Sequence, residues 1–357
     1  MNLTPPRHML EPPRYQYGWF APLSSAEVRS DRPTSFFFMG HTLVAFRDAS
    51  GRAVVMDAIC PHFGAHLGYG QIVNGCIRCP FHKLDFDREG RCVDAPPFYD
   101  KNKLQHLRAQ TWASCERLNQ LFIWHGADPE HPAWDMPLDA LCWDDWTPPL
   151  TNKGLLVSGM HPLWVAENVV DLVHVRTVHG LDNLNLIDPP RPHDDGTYRV
   201  VFDVVWRLGS RSRHPFVRKL GSLVNSPFRL ETQLLNPGIL VTEATLTEKH
   251  GGLKIRTVVL VNPVGERDTQ IRLLVSLRRQ FRAAWARAGQ WLLGHSPEEL
   301  IAQLYLQLGM EDFRADAAIW KHRRHLIQPV QLKGDGPMVE FRRWSVRFWP
   351  ESYAEER

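Results

Sequence analysis

Four residues constrain this chain more than anything else in it. Cys60-Pro61-His62 and, after sixteen intervening residues, Cys79-Pro80-Phe81-His82 each put one thiol and one imidazole into a short loop. Prolines 61 and 80 stiffen these loops, and glycines 64, 68, 70 and 75 let them turn sharply and bring backbone N–H groups close to sulfur. Two such loops can surround a metal with soft and borderline ligands. A structural zinc site would use the same residue types, although its usual pattern pairs Cys with Cys and His with His. The mixed loops suit a [2Fe–2S] cluster with both cysteines on one iron and both histidines on the other. Four ordinary buried residues remain the bland alternative.

All six cysteines lie at or before position 142, and none follows. A disulfide-stapled secreted scaffold would spread them more evenly. At roughly 150 residues per domain, 357 residues suggest two domains, one of which needs thiolate. The net charge of +3 is too small to argue for nucleic acid or an anionic membrane as partner. No apolar run approaches the ~18 residues of a membrane span, and the proline-rich start has no secretory apolar core. A cytoplasmic location is the expectation.

Residues 1–16 read as a proline-stiffened arm. Short strand-like runs separated by glycine turns fill 17–125, among them 42–46, a turn at 49–52, 53–56 and a closing strand at 121–124. The proline-rich stretch 126–153 reads as a linker. In 154–357 a helix is expected near 161–176. Strands follow at 197–207, 228–236, 239–248, 253–261 and 269–277, then helices near 279–293 and 297–326.

The cysteine-free part carries its own constellation, Glu167-Asn168-Val-Val-Asp171-Leu-Val-His174-Val-Arg-Thr-Val-His179. On a helix Asp171 and His174 share a face. His179 joins them only if the helix ends or bulges, and Gly180 favours an ending. Two imidazoles and a carboxylate on one face of Fe(II) leave positions open for O₂ and substrate. A surface helix with two ordinary histidines is the alternative. Candidate acids are Glu311, Asp312 and Asp316 on the last long helix. Glu167 is expected to be solvated, His66 to be a loop residue, and Cys76, Cys92, Cys115 and Cys142 to be passengers.

The segment CPHFGAHLGYGQIVNGCIRCPFH resembles the C-x-H…C-x-x-H signature of Rieske iron–sulfur proteins. With D-x-x-H-x-x-x-x-H downstream, nearly the whole chain is similar to Rieske non-haem iron oxygenases. The run Asp316-Ala-Ala-Ile-Trp320 looks like the pattern that supplies the carboxylate in 3-ketosteroid hydroxylase and aminopyrrolnitrin-type oxygenases. Gly51-Arg-Ala-Val-Val-Met-Asp57 and Gly336-Pro…Phe341-Arg-Arg-Trp344 have counterparts there too. The resemblance implies an α+β protein, an all-β Rieske domain followed by a helix-grip domain with a curved antiparallel sheet. It makes Cys60, His62, Cys79 and His82 the cluster ligands, and His174, His179 and Asp316 (Asp312 the alternative) the ligands of a mononuclear Fe(II). Asp171 would carry electrons between subunits of a homotrimer, and Asn168 would face the iron pocket.

The implied activity is a bacterial terminal monooxygenase that uses O₂ on a hydrophobic aromatic or polycyclic molecule. Desaturation, oxidative cyclisation and N-oxygenation are open on the same scaffold. With neither G-x-G-x-x-G nor a P-loop in the chain, NAD(P)H would act only indirectly, through a separate ferredoxin or flavin reductase. Arg278-Arg279…Arg282 or Lys321–Arg324 would be docking points for such a partner. Trp164, Trp206, Trp285, Trp291 and Trp320 would suit either an apolar pocket or a core. A different class, an electron carrier with a non-catalytic ligand-binding domain, is also open. Where relatives follow the last cluster ligand with Gly-Trp, this chain has Lys83-Leu84.

Overall fold

The computed structural model describes residues 10–104, 106–137, 139–141, 145–181, 183–207, 225–246, 253–278 and 297–354. The expected helix at 279–293, Cys142, Trp285, Trp291, Arg279 and Arg282 lie outside them, as does the side chain of Trp206. The chain forms two compact units.

One unit is Tyr15–Met136 with Asn262–Glu266. Its described strands are β1 (Gly18–Ser24), β2 (Thr34–Phe38), β3 (His41–Arg47), β4 (Ala53–Asp57), β5 (Gln71–Val73), β6 (Cys76–Arg78), β7 (Asp85–Phe86), β8 (Cys92–Asp94), β9 (Ser114–Arg117) and β10 (Gln120–His125), with one short helix, α1 (Lys101–Leu104). They build three small antiparallel sheets, ordered β1-β10-β9, β2-β3-β4 and β5-β6-β7-β8. β10, central in its sheet, is buried along its whole length. β1 and β10 pair across the whole span of the unit, so its first and last strands close it. Phe20, Phe38, Leu43 and Ile123 pack one core; Val44, Phe46, Ile77 and Phe86 pack another that also takes in Cys60 and Cys79.

The second unit comprises Met1–Arg14, Pro137–Val261 and Arg267–Arg357. It carries an eight-stranded antiparallel sheet ordered β11 (Leu150–Thr151), β18 (Asp268–Leu277), β17 (Lys254–Pro263), β16 (Ile239–Leu246), β15 (Asn225–Asn236), β14 (Tyr198–Arg207), β13 (Asn185–Pro192), with β12 (Leu155–Ser158) also on β18. Inward apolar residues alternate with outward charges, such as Glu243 held by Lys254 at 2.7 Å and Arg256 at 3.0 Å. Helix α4 (Pro297–Trp320) packs on β18 and β11.

Three departures from the sequence reading have physical reasons. β13 is not among the expected strands and holds prolines 189, 190 and 192; it is an edge strand, where missing N–H donors are tolerated. β11, inside the stretch read as linker, pairs with β18. The helix expected at 161–176 is two short helices, α2 (Leu163–Glu167) and α3 (Leu172–Thr177), separated by Asn168–Asp171. The arm residue Arg14 is also packed, its guanidinium donating to the carbonyls of Met160 (2.9 Å) and Asp268 (2.7 Å).

Two histidines are core residues. His161 donates from Nε2 to the Pro12 carbonyl and accepts at Nδ1 from the Leu163 N–H; His125 Nδ1 donates to the Gln16 carbonyl. Burial pulls them down to about 3 and about 4. The unfolded chain protonates both below about pH 6.5, so stability attributable to them is complete above that value and falls as pH drops towards 4. The expected loss is about 2 kcal/mol for each histidine by about pH 5. Urea midpoints of wild type and His161→Gln between about pH 7 and 5 check this: the variant should show the shallower slope, and equal slopes would refute it.

Candidate active site

The two Cys–His loops have the same backbone closure. Cys60 N–H donates to the Ala65 carbonyl and Cys79 N–H to the Leu84 carbonyl, each at 2.8 Å. Gly64 N–H returns to the Cys60 carbonyl at 3.0 Å, and Lys83 N–H to the Cys79 carbonyl at 3.2 Å. Gly64 and Lys83 therefore occupy equivalent positions, and both are left-handed, with φ +73° and +59°. The departure Lys83-Leu84 is thus accommodated: Lys83 takes a glycine-like conformation, its Nζ donating to the Pro80 carbonyl, and Leu84 is wholly buried. Arg78 forks onto the buried Asp85 carboxylate with two 2.7 Å bonds, bracing β6 against β7 beside the second loop.

The loops bring the four expected cluster residues together. The sulfurs of Cys60 and Cys79 face each other inside the core, and burial first, with the neighbouring Cys79 adding to it, pushes the Cys60 thiol up to about 11. The amides of His62 and Phe63 donate to that sulfur, which favours thiolate. The His62 and His82 rings meet edge to face at 4.8 Å, half-buried, and His62 Nδ1 is buried without a hydrogen-bond partner. Paired sulfurs inside, paired imidazoles outside and an orphaned ring nitrogen fit a two-iron cluster. His66 caps a 3₁₀ turn through Nδ1 instead. Cys76 and Cys115 are half-buried and Cys92 is buried.

In the other unit α3 ends at Thr177 and Gly180 adopts φ +65°, which turns His179 back towards His174. Their rings lie 4.6 Å apart. Across from them α4 presents Asp316, with Oδ1 at 2.9 Å from His174 Nε2 and 3.3 Å from His179 Nε2. Donor atoms of His174, His179 and Asp316 all lie within 4.8 Å of one another, so the three can hold one metal ion. Asp312 approaches His179 Nδ1 only at 3.6 Å and is far more exposed than Asp316. Asn168, in the α2–α3 break, donates to Asp316 Oδ2 at 3.3 Å. Asp171 caps α3, accepting from the His174 backbone N–H at 3.1 Å.

The electrostatics suit a cation. Burial disfavours charge on His179, yet the carboxylates of Asp312 and Asp316 facing its two ring nitrogens outweigh it and lift the imidazole to about 9. Burial likewise opposes the Asp316 carboxylate, but both histidines hold it below its usual value. His174 Nδ1 is buried without a hydrogen-bond partner. The triad borders a cavity of about 240 Å³ walled by aliphatic residues of α2, α3 and the sheet, and by Phe202, Phe313 and Tyr305.

One expectation is corrected. Glu167 is not solvated: it is 1% exposed and paired with Arg323 and Arg342, the latter at 3.1 Å. Its signal lay in Phe341-Arg-Arg-Trp344, which supplies the buried arginine. Arg323 is consequently engaged, while Lys321 and Arg324 of the same run are exposed. Trp164 and Trp320 are core residues that do not line the cavity. Gly336, the first residue of the Gly336-Pro…Trp344 pattern, has a packing role: a Cβ there would lie 1.6 Å from the Val170 carbonyl oxygen in the α2–α3 break.

A Rieske-type fold in one unit, and two histidines with a carboxylate beside an apolar cavity in the other, define a Rieske non-haem iron monooxygenase with a [2Fe–2S] cluster, a mononuclear iron and O₂ as cosubstrate. The chain matches the Rieske [2Fe-2S] domain over residues 18–107 and the 3-ketosteroid 9alpha-hydroxylase C-terminal domain over residues 123–349. It belongs to the family that this second domain defines. It is 24% identical over 355 residues to the 3-ketosteroid-9-alpha-monooxygenase oxygenase component of Rhodococcus rhodochrous, covering 95% of this chain and 85% of that protein. It is 27% identical over 365 residues to cholesterol 7-desaturase nvd 1 of Ciona intestinalis, covering 96% and 70%. Apo dicamba monooxygenase shares the fold, with a TM-score of 0.65 at 19% identity, covering 96% of this chain and 99% of that one. No described helix is long and apolar enough to cross a membrane.

Gly336→Ala should push the α2–α3 break away from α4, costing about 1–3 kcal/mol and weakening metal retention. Thermal denaturation and iron content test this; an unaltered variant would contradict the close approach.

Proposed function

We propose that this chain is the oxygenase component of a multi-protein monooxygenase for a polycyclic or aromatic hydrophobic molecule, with a separate ferredoxin or flavin reductase supplying electrons. The carrying observation is the His174–His179–Asp316 triad at the wall of an apolar cavity. Cys60, Cys79, His62 and His82 hold the cluster; His174, His179 and Asp316 hold the mononuclear iron. When bound, the two groups supply one-electron transfer and O₂ activation, so no general base or nucleophile is required of the protein.

The chain's own residues prepare that site. Asn168 holds the second oxygen of Asp316 and thereby fixes the carboxylate's orientation. Asp171 fixes the start of the helix that carries His174, and in a homotrimer its carboxylate links this site to the cluster of the next subunit. The aliphatic walls keep water from the reacting carbon. The relatives named for ketosteroid and cholesterol oxidation support a polycyclic substrate, and the desaturase among them keeps desaturation as the second reading.

Asp316→Ala and His174→Ala should abolish product formation while leaving the cluster's visible spectrum intact, whereas undiminished turnover would end the enzyme reading. Asn168→Ala should lower metal affinity by about 10- to 100-fold. Chains carrying Cys60→Ser, mixed with chains carrying His174→Ala, should regain turnover if electrons cross between subunits; mixed oligomers that stay inactive would count against the trimeric route.

A further inference from the structure

The two carboxylates that α4 turns towards the cavity are not equivalent. Asp312 and Asp316 lie four residues apart, one helical turn, and both border the cavity. Together they bracket a single ring. His179 turns Nε2 towards Asp316 Oδ1 at 3.3 Å and Nδ1 towards Asp312 Oδ1 at 3.6 Å. Four residues of α-helix rise about 6 Å along the axis, so one imidazole facing α4 can meet carboxylates from successive turns. His174 also directs Nε2 at Asp316 Oδ1, at 2.9 Å. The Nε2 atoms of both histidines therefore converge on the same carboxylate oxygen, and these are the nitrogens that a metal would take. The Nδ1 atoms are left over.

A neutral imidazole that gives Nε2 to a metal carries its proton on Nδ1, and a ring held only at Nε2 can still swivel about that bond. An acceptor at the far nitrogen settles both the tautomer and the orientation. His179 Nδ1 is buried without a hydrogen bond of ordinary geometry, and Asp312 is the carboxylate that faces it. The separation is about 0.7 Å longer than an ordinary N–H···O bond. Asp312 is 37% exposed, so rotation of its side chain can close that gap. Asp316 has no such freedom, being buried and held at Oδ2 by Asn168. The exposure that sets Asp312 apart from the ligands thus suits it to a supporting role. Glu311, next to it in the chain, does not border the cavity.

We infer that Asp312 is the positioning residue for His179: it accepts a hydrogen bond from Nδ1, fixes the ring's tautomer and keeps Nε2 aimed at the metal position, without being a ligand itself. This rests on the reading of His174, His179 and Asp316 as the mononuclear iron site and deepens it. Successive turns of α4 then have separate tasks. Asp316 supplies a donor atom, and Asp312 sets the imidazole that shares the metal with it. A carboxylate behind the ring also raises the basicity of Nε2, which strengthens its hold on a cation.

Anaerobic Fe(II) titration of protein that keeps its cluster but has been stripped of mononuclear iron by a chelator tests this role without turnover. Asp312→Ala should weaken Fe(II) binding about 10- to 100-fold. Asp312→Asn, which keeps a neutral acceptor, should lose about half as much on a logarithmic scale. Glu311→Gln removes the same charge one position away and should leave the affinity unchanged. The EPR signal of nitric oxide on the mononuclear Fe(II), read with the cluster oxidised and silent, should change its rhombicity in Asp312→Ala and not in Glu311→Gln, because the ring reorients. Iron-stripped Asp312→Asn and wild-type proteins should melt together, since no bond of ordinary length is lost. Wild-type affinity in Asp312→Ala, an equal loss in Glu311→Gln, an unchanged EPR signal, or a clear fall in the melting temperature of iron-stripped Asp312→Asn would overturn the positioning role. A loss in Asp312→Ala as deep as in Asp316→Ala would overturn it too, by making Asp312 a ligand. If Asp316→Ala abolishes Fe(II) binding while Asp312→Ala preserves it, the positioning role fails alone; if Asp316→Ala binds as the wild type does, the iron-site reading fails with it.

Discussion

A carboxylate that is 4% exposed governs the catalytic unit. Asp316 could not stay ionised there alone, because burying an unpaired charge costs several kcal/mol. Its partners come from a segment more than 130 positions earlier: His174 at 2.9 Å, His179 at 3.3 Å and Asn168 at 3.3 Å. The site forms only where one face of α4 meets the break between α2 and α3. Neighbouring features serve that junction. Glu167, at the end of α2, is tied by Arg323 just past α4 and by Arg342 on α5 (Met338–Ser345). Gly336 lets the chain before α5 touch the break, and Asp171 starts the helix that delivers His174. A local change at any of these positions therefore reaches the triad through geometry rather than through chemistry.

The cluster loops solve a related problem with backbone rather than charge. Each is closed by a Cys N–H to the carbonyl five residues on and by a return bond to the Cys carbonyl, so two different sequences reach one shape. The second loop tolerates Lys83 at a left-handed position, where a non-glycine residue costs about 1–2 kcal/mol, because Leu84 beside it is buried and Arg78–Asp85 holds the strands on either side. The ladder of short strands thus absorbs a substitution that looks disruptive in the sequence.

Much of this was legible in the residues because the signals were local. The Cys–His spacing, the alternation of β14 and β16–β18, and the glycine after His179 each concern a few neighbouring positions. What escaped was set by tertiary partners. A helix pattern over 161–176 cannot reveal the break at Asn168–Asp171, since the break is paid for by Asp316, Gly336 and the Glu167 ion pairs, all from distant sequence. Glu167 looked solvated because its arginines are more than 150 residues away. The prolines of β13 disfavour a strand, and only its edge position makes them admissible.

The two donor sets differ in surroundings as much as in chemistry. Sulfur sits in a core, while the imidazole edges of His62 and His82 are half-buried beneath the exposed rings of Phe63 and Phe81. An electron entering or leaving needs an edge near the surface, and thiolates need shielding from solvent and oxidant. The nitrogen and oxygen donors, by contrast, border a mostly aliphatic cavity whose polar groups are neutral hydroxyls apart from the triad and its neighbours. O₂ activation needs open coordination positions and an apolar molecule close by, with little water. Cysteine in such a cavity would be a competing target for oxidation, and the described lining contains none. The confinement of cysteine to the first 142 residues is therefore compatible with what each unit has to survive, beyond what each has to bind.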